Sequence, residues 1–266
     1  MLHSQKAGVV RAAKRTVREL RRLGRPRGRR GAGAPGVEFD ASRYFRGEQN
    51  FAFYNVGTAK MRALARSIHA DHRHWTIDEA MAFADILMVD PHLEAKAVGV
   101  EVVARHAREF TPVLLGRWKQ WFVRNRSANW ATTDHICGAL IGPLLVRHPR
   151  AAARLRSWST HPNMWVRRAS IVGLIRLARK GTAHDQLYSV ARRLHTNKED
   201  LIQKAVGWAL REAGKTDTDR LERYLRANGP RIPRTTLRYA IERFPAQKRA
   251  ELLRVTRPMS ETISTG

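Results

Sequence analysis

The chain is poor in cysteine, in acidic residues and in long apolar runs, and each shortage excludes something. A single cysteine, Cys137, in 266 residues rules out a disulfide framework, a CxxC redox pair and a cysteine-rich zinc module, and points to a reducing compartment. No stretch approaches the roughly 18 uncharged apolar residues that cross a bilayer, and the N-terminus lacks the apolar run of a secretory signal. A soluble protein of the cytoplasm, associated with the nucleoid, is expected. HExxH, GxSxG, a glycine-rich phosphate loop and a Walker A lysine are all missing, which leaves metalloprotease, hydrolase-elbow and nucleotide-driven chemistries without support.

The scarcest commodity is negative charge. Against 23 Asp and Glu stand 50 Lys and Arg, a formal +27. With 43% hydrophobic residues the chain can still bury a core, so it is a folded protein and not a basic tail. Residues 1–36 hold eleven of the cations and one acid, Glu19; the remainder keeps a large excess of its own. Such a surface calls for a polyanion, and nucleic acid is the commonest one.

Val10, Ala13, Val17, Leu20 and Leu23 recur at three- and four-residue spacing between arginines, which predicts a basic amphipathic helix over 1–23; a mitochondrial-type transit peptide has the same appearance. RPRGRRGAGAPG cannot hold a helix, so 24–38 reads as a flexible basic loop, and 258–266 as a disordered tail. Between them the chain reads as helical throughout. Helix starts near Pro91, Ser127, Pro162, Lys198 and Pro233 are separated by 36, 35, 36 and 35 residues, with partner helices over 112–124, 149–158, 184–194 and 218–227. A two-helix unit of this period predicts one all-α domain over 1–257, an α-solenoid of HEAT-like repeats with a concave, basic, DNA-binding face.

Superposing the five repeat helices makes the chain its own control. Seven residues after each start stand Val98, Ala169, Ala205 and Ala240, but also Asp134. A carboxylate in a small-residue packing position is costly unless it is solvated or used. Trp130 lies one turn before it, and Arg168 and Trp208, six and ten residues into their helices, fall in the same arc of about 100°. Each has an ordinary explanation when taken alone: a core indole, a solvated arginine, a carboxylate capping or paired with a neighbouring cation. Trp165, also three residues into its helix, reads as structural or as a groove wall. His69, His72 and His74 invite a metal, but no carboxylate or cysteine set completes a site, so a solvated basic loop is expected and no metal or other cofactor. Cys137 reads as a small buried residue.

At these positions the sequence resembles the AlkD-type DNA alkylation repair glycosylases, a HEAT-like-repeat family. The resemblance rests on NWATTDHICGALIGPLLVRHP (129–149), HPNMWVRRASIVGLI (161–175) and NKEDLIQKAVGWALREAGK (197–215), with a weaker stretch at 42–66 where the family usually has a glycine near Asn55. It implies that Trp130, Asp134, Arg168 and Trp208 are the functional residues. It further implies double-stranded DNA lying on the concave surface and release of N3-methyladenine, N7-methylguanine or bulkier cationic adducts without base flipping. Relatives lacking these residues are taken to bind DNA without excision.

The chemistry suits the residues. A cationic alkylpurine is already a good leaving group, so what remains is to stabilise the sugar as C1′ becomes oxocarbenium-like. Asp134 is expected to do that, with the indole faces of Trp130 and Trp208 attracting the developing cation. Arg168 and, one repeat on, Lys204 are expected to grip phosphates, with Arg167 and Arg211 as weaker contacts. The expectation is thus a monomeric, cofactor-free DNA N-glycosylase. The alternatives are a non-catalytic solenoid that binds damaged or branched DNA and a scaffold for an acidic protein partner.

Overall fold

The structure, a computed structural model, describes residues 2–24 and 52–257; the expected basic loop beyond Gly24 and the tail 258–266 lie outside the described residues. Among the described residues the fold is all-α, and the one strand-like pairing is an isolated parallel bridge between Ala52 and His92. The chain divides into two compact units, residues 1–140 and 141–266.

The first unit contains α1 (Leu2–Leu23), α2 (Thr58–Asp71), α3 (Ile77–Leu87), α4 (Leu93–Ala104), α5 (Leu114–Val123) and α6 (Trp130–Ile136). Of the apolar residues read from the sequence as one stripe of α1, Ala13 and Leu20 are fully buried where the helix packs on α3 and α4 and Val17 and Leu23 are half-buried, whereas Val10 is 39% exposed and its neighbours Val9 and Ala12 are buried instead. Helix α3 starts in a reciprocal capping box: the Thr76 hydroxyl accepts from the Glu79 amide while Glu79 accepts from the Thr76 amide at 2.8 Å. Two charges are buried in α4. Glu94 accepts the Tyr54 and Val56 amides at 3.0 and 3.2 Å, tying the entering chain to the helix. Lys96 donates to the Met88 carbonyl at 2.7 Å, and burial pulls its ammonium down to about 8.

The second unit contains α7 (Gly142–Arg147), α8 (Leu155–Trp158), α9 (Met164–Val172), α10 (Ile175–Ala178), α11 (His184–Leu194), α12 (Asp200–Gly214), α13 (Thr218–Asn228), α14 (Arg234–Ala240) and α15 (Ala246–Val255). Helix α12 is its spine, packed on α9, α11, α13 and α14. Buried Glu212 accepts from Arg179 and Lys215, each at 2.7 Å; burial is the largest influence on its carboxyl and would raise it, yet the two hydrogen bonds hold it below the usual range.

The expected starts at 91, 127, 162, 198 and 233 become observed first residues Leu93, Trp130, Met164, Asp200 and Arg234. The expected helix 149–158 is instead a 3₁₀ stretch, Pro149–Arg154, running into α8. The HADHRH segment is only in part the solvated loop expected: Arg73 and His74 are exposed in the turn that follows α2. His69 lies within α2, its ring edge-on to buried His106 at 5.2 Å, and His72 stacks on buried Trp75 at 4.2 Å.

Buried His195, hydrogen-bonded through Nε2 to the Tyr224 hydroxyl at 2.6 Å, has its imidazolium disfavoured by burial, which lowers its pKa to about 4. Between pH 6.5 and 4 the unfolded chain therefore binds a proton that the folded chain refuses, so stability falls as pH drops through that window. A loss of about 3 kcal/mol between pH 7 and pH 4 is expected from this group. Chemical denaturation across that range should show it, with a flatter profile for His195→Gln; equal profiles would remove His195 as the cause.

Candidate nucleic-acid interface

Helix α6 begins where Asn129 caps it, its side-chain oxygen accepting the Thr132 amide at 2.7 Å. That cap makes Trp130 the first helical residue and puts Asp134 one turn later on the same side, while Thr132, Thr133 and Ile136 turn inward. Trp130 and Asp134 are half-buried, whereas Val98, Ala169, Ala205 and Ala240, at the same register position as Asp134, are sealed in the core. The carboxylate thus sits at a surface that its four equivalents do not reach.

A π-helical turn, Cys137–Ile141, follows directly, with Cys137 buried as expected. In a regular helix Ile141 and Leu145, seven and eleven residues after Asp134, would fall in line with it. Both are fully buried. The wider turn shifts their phase by about one residue, which returns them to the face of Ile136 and Leu140 and leaves Asp134 out of the apolar row.

The seven tryptophans sort in the same way. Trp75, Trp118, Trp121 and Trp158 are buried, and Trp118 and Trp121 have their indole N–H satisfied by the Met81 sulfur at 3.3 Å and by Asp85 at 2.6 Å. Trp130, Trp165 and Trp208 are the partly exposed ones, and all three are on repeat helices. Trp165 therefore belongs with the other two and not with the core.

The cations are held very differently from one another. Arg168 is 5% exposed, with Nη1 donating to the Leu201 carbonyl across the α9–α12 contact. Lys204 is half-exposed and bonded to Asp200 at 2.6 Å, which raises its ammonium, while nearby Arg168 opposes that rise. Arg167 forks onto the His161 and Pro162 carbonyls at 2.8 and 2.7 Å and onto Glu199, so it fastens the start of α9 to that of α12. Arg211 pairs with Glu242 and stands 3.8 Å from Glu212. Trp130 and Asp134 belong to the first unit; Arg168, Lys204 and Trp208 belong to the second.

Two further residues escaped the sequence reading although the repeat register contained them. Tyr239, 37% exposed on α14, is the equivalent of Arg168 and Lys204 in the last repeat. It reaches its place because residue 207 is glycine: a Cβ there would lie 2.4 Å from the Tyr239 Cβ and 2.6 Å from the Thr236 carbonyl oxygen. Glu101 is the equivalent of Trp208 in α4. Its carboxylate accepts from His135 at 3.1 Å, and that bond, with Arg62 at 3.6 Å, holds it below the usual range against burial. Glu101 and His135 line a cleft of about 280 Å³ in the first unit, with Phe53, Met61, Ala97 and Ala131.

Residues 32–244 match the model of a family described as DNA alkylation repair enzyme. The chain belongs to that family. Membership carries a role in DNA repair and implies DNA as the substrate. A solved structure described as a predicted DNA alkylation repair enzyme from Enterococcus faecalis superposes with a TM-score of 0.68 at 19% identity, covering 77% of this chain and 93% of that one, a likeness that speaks for the fold. No curated protein matches the sequence. No helix among the described residues is long and apolar enough to cross a membrane. Near the position where the family usually has glycine, Asn55 adopts a φ of 59°, the left-handed region that asparagine tolerates best after glycine.

Gly207→Ala should lower stability by about 1–3 kcal/mol in thermal unfolding, because α12 and α14 must part to admit the methyl group; an unchanged melting temperature would contradict the close approach. Deleting Gly138 should convert the π turn into regular helix at nearly unchanged stability, because Ile141 and Leu145, then six and ten residues after Asp134, keep the phase that the π turn gives them. A deletion variant that loses more than about 3 kcal/mol in thermal unfolding would show that the turn does not act as a simple one-residue phase shift.

Proposed function

We propose that the chain is a DNA N-glycosylase that hydrolyses the glycosidic bond of cationic N3- and N7-alkylated purines in duplex DNA, without flipping the lesion and without a cofactor. The observation that carries this reading is Asp134: a half-exposed carboxylate one turn from a half-exposed indole, at a repeat position filled elsewhere by sealed small residues.

In this scheme the electron pair of the C1′–N bond leaves with the base, cancelling its positive charge, and water supplies the hydroxyl at C1′ while its proton passes to solvent. No general acid is required, because alkylation has already made the base a leaving group. Asp134 stabilises the cation that develops at C1′ and orients the water. Trp130 offers its π face to the deoxyribose, and Trp208 offers a second indole to the same duplex. Arg168, and Lys204 once released from Asp200, grip backbone phosphates; Tyr239 extends that row by one repeat. Arg167 and Arg211 contribute only by exchanging a glutamate for a phosphate, so they rank below the other two.

The test is release of free base from duplex DNA carrying N7-methylguanine, N3-methyladenine or a bulkier cationic adduct, with binding measured in parallel. Asp134→Asn should lower the rate by about 10²–10³-fold while leaving DNA affinity within a few-fold of wild type. If wild type binds these duplexes and releases no base from any of them, the non-catalytic DNA-binding reading replaces this one.

A further inference from the structure

Helix α1 lies before residues 32–244, outside the stretch that matches the family model. It is a docked element: its Val9, Ala12, Ala13, Thr16 and Leu20 are buried against α3 and α4. Its outer face is almost entirely cationic, with Arg11, Lys14, Arg15, Arg18, Arg21 and Arg22 all exposed. The single acid, Glu19, is taken by Arg22 in a two-pronged pair at 2.6 and 2.9 Å. No described carboxylate pairs with Arg11, Lys14, Arg15 or Arg18.

Exposed cations are common over the described surface, and what sets α1 apart is their close spacing along a single helix. Elsewhere the structural arginines have carboxylate partners, as in Arg167 with Glu199, Arg220 with Asp185 and Arg226 with Glu222 and Glu251. On α1 the cations instead stand three and four residues from one another: Arg11 faces Lys14 and Arg15, and Arg18 faces Lys14, Arg15, Arg21 and Arg22. Like charges at those spacings destabilise a helix unless counter-ions sit between them. The cations from Arg11 to Arg22 span about 17 Å of this 22-residue helix, roughly half a turn of duplex. A rigid row of guanidinium groups with that reach matches the regular row of phosphates along DNA.

We propose that the outer face of α1 is a second DNA-binding surface, which holds the phosphate backbone of duplex outside the segment engaged by the repeat helices. The proposal rests on DNA being the substrate. It does not depend on base excision.

The experiment uses the full chain with Arg11→Gln, Lys14→Gln, Arg15→Gln and Arg18→Gln combined. The control combines Arg150→Gln, Arg156→Gln, Lys180→Gln and Arg193→Gln, four exposed cations of the second unit. Affinity for unmodified 12- and 30-base-pair duplexes is measured against salt concentration. Because four phosphates are then no longer neutralised by the helix, the slope of log affinity against log salt for the 30-mer should fall by about 3 to 4, against less than about 1 for the control. The preference of wild type for the 30-mer over the 12-mer should disappear in the α1 variant alone. A charge-retaining variant, Arg11→Lys, Arg15→Lys and Arg18→Lys, should keep the wild-type slope, and losing it would overturn the proposal by showing that charge is not the cause. Equal slopes for the α1 and control variants would also overturn it, since the effect would then be diffuse charge. So would loss of binding to anionic phospholipid vesicles with DNA binding intact, which would assign the helix to a membrane surface. Base release from N7-methylguanine duplex is followed in the same samples: wild type that releases no base but shows the slope difference would sink the glycosylase reading and leave the α1 surface standing.

Discussion

Self-repulsion is the constraint under which the whole structure is built. A chain with a formal +27 must fold with fewer than half as many acids as bases, so where the acids are placed decides which cations become structural and which stay available. Many of the described acids are committed to joints between elements. Glu212 holds Arg179 and Lys215, Glu199 holds Arg167, Asp78 holds Arg117, and Glu222 with Glu251 holds Arg226 and Lys248. These pairs are local devices; exposed ones contribute little each, and their effect is to fix which arginine points where. What remains uncompensated is a surface charge that only a polyanion can neutralise.

Helix existence, period and register were legible because they follow from local rules. Proline, asparagine and aspartate punctuate the chain at the helix starts, and α11 has the bounds read from its sequence, His184–Leu194. The caps at Asn129, Asn163 and Asp217 act within three residues of themselves, so single-sequence reasoning reaches them. The sealed state of Val98, Ala169, Ala205 and Ala240 also agrees with their identity as packing residues.

What was not legible depends on partners distant in sequence or on a change of helical pitch. Arg167 has the composition of a phosphate contact, yet its partner Glu199 stands 32 residues away and belongs to another helix. His72 looks solvated until Trp75 stacks on it. Pro149 can open a helix, but the alanine-rich stretch after it tightens to 3₁₀ before α8 begins. The π turn leaves no composition signal at all; its trace is a phase conflict between a carboxylate and later apolar residues, visible only once the buried set is known. Tyr239 stood in the register throughout, and Gly207 was the clue to it, since a glycine inside a long helix implies a close neighbour.

On the proposed reading, these constraints explain why so few residues would suffice. An alkylated purine carries its positive charge before it meets the protein, and a surface rich in arginine would repel it were the phosphates not taking up most of that field. During bond cleavage the total charge is unchanged and only its location shifts, from the purine ring to C1′. A group that rewards this shift must be negative or π-rich at the destination and inert at the origin. One carboxylate with an indole beside it meets both conditions, and a further acid near the base would stabilise the ground state as much as the transition state. Glu101, the carboxylate beside His135, is already held by that imidazole and by Arg62, which leaves Asp134, one turn from Trp130, to favour the developing cation.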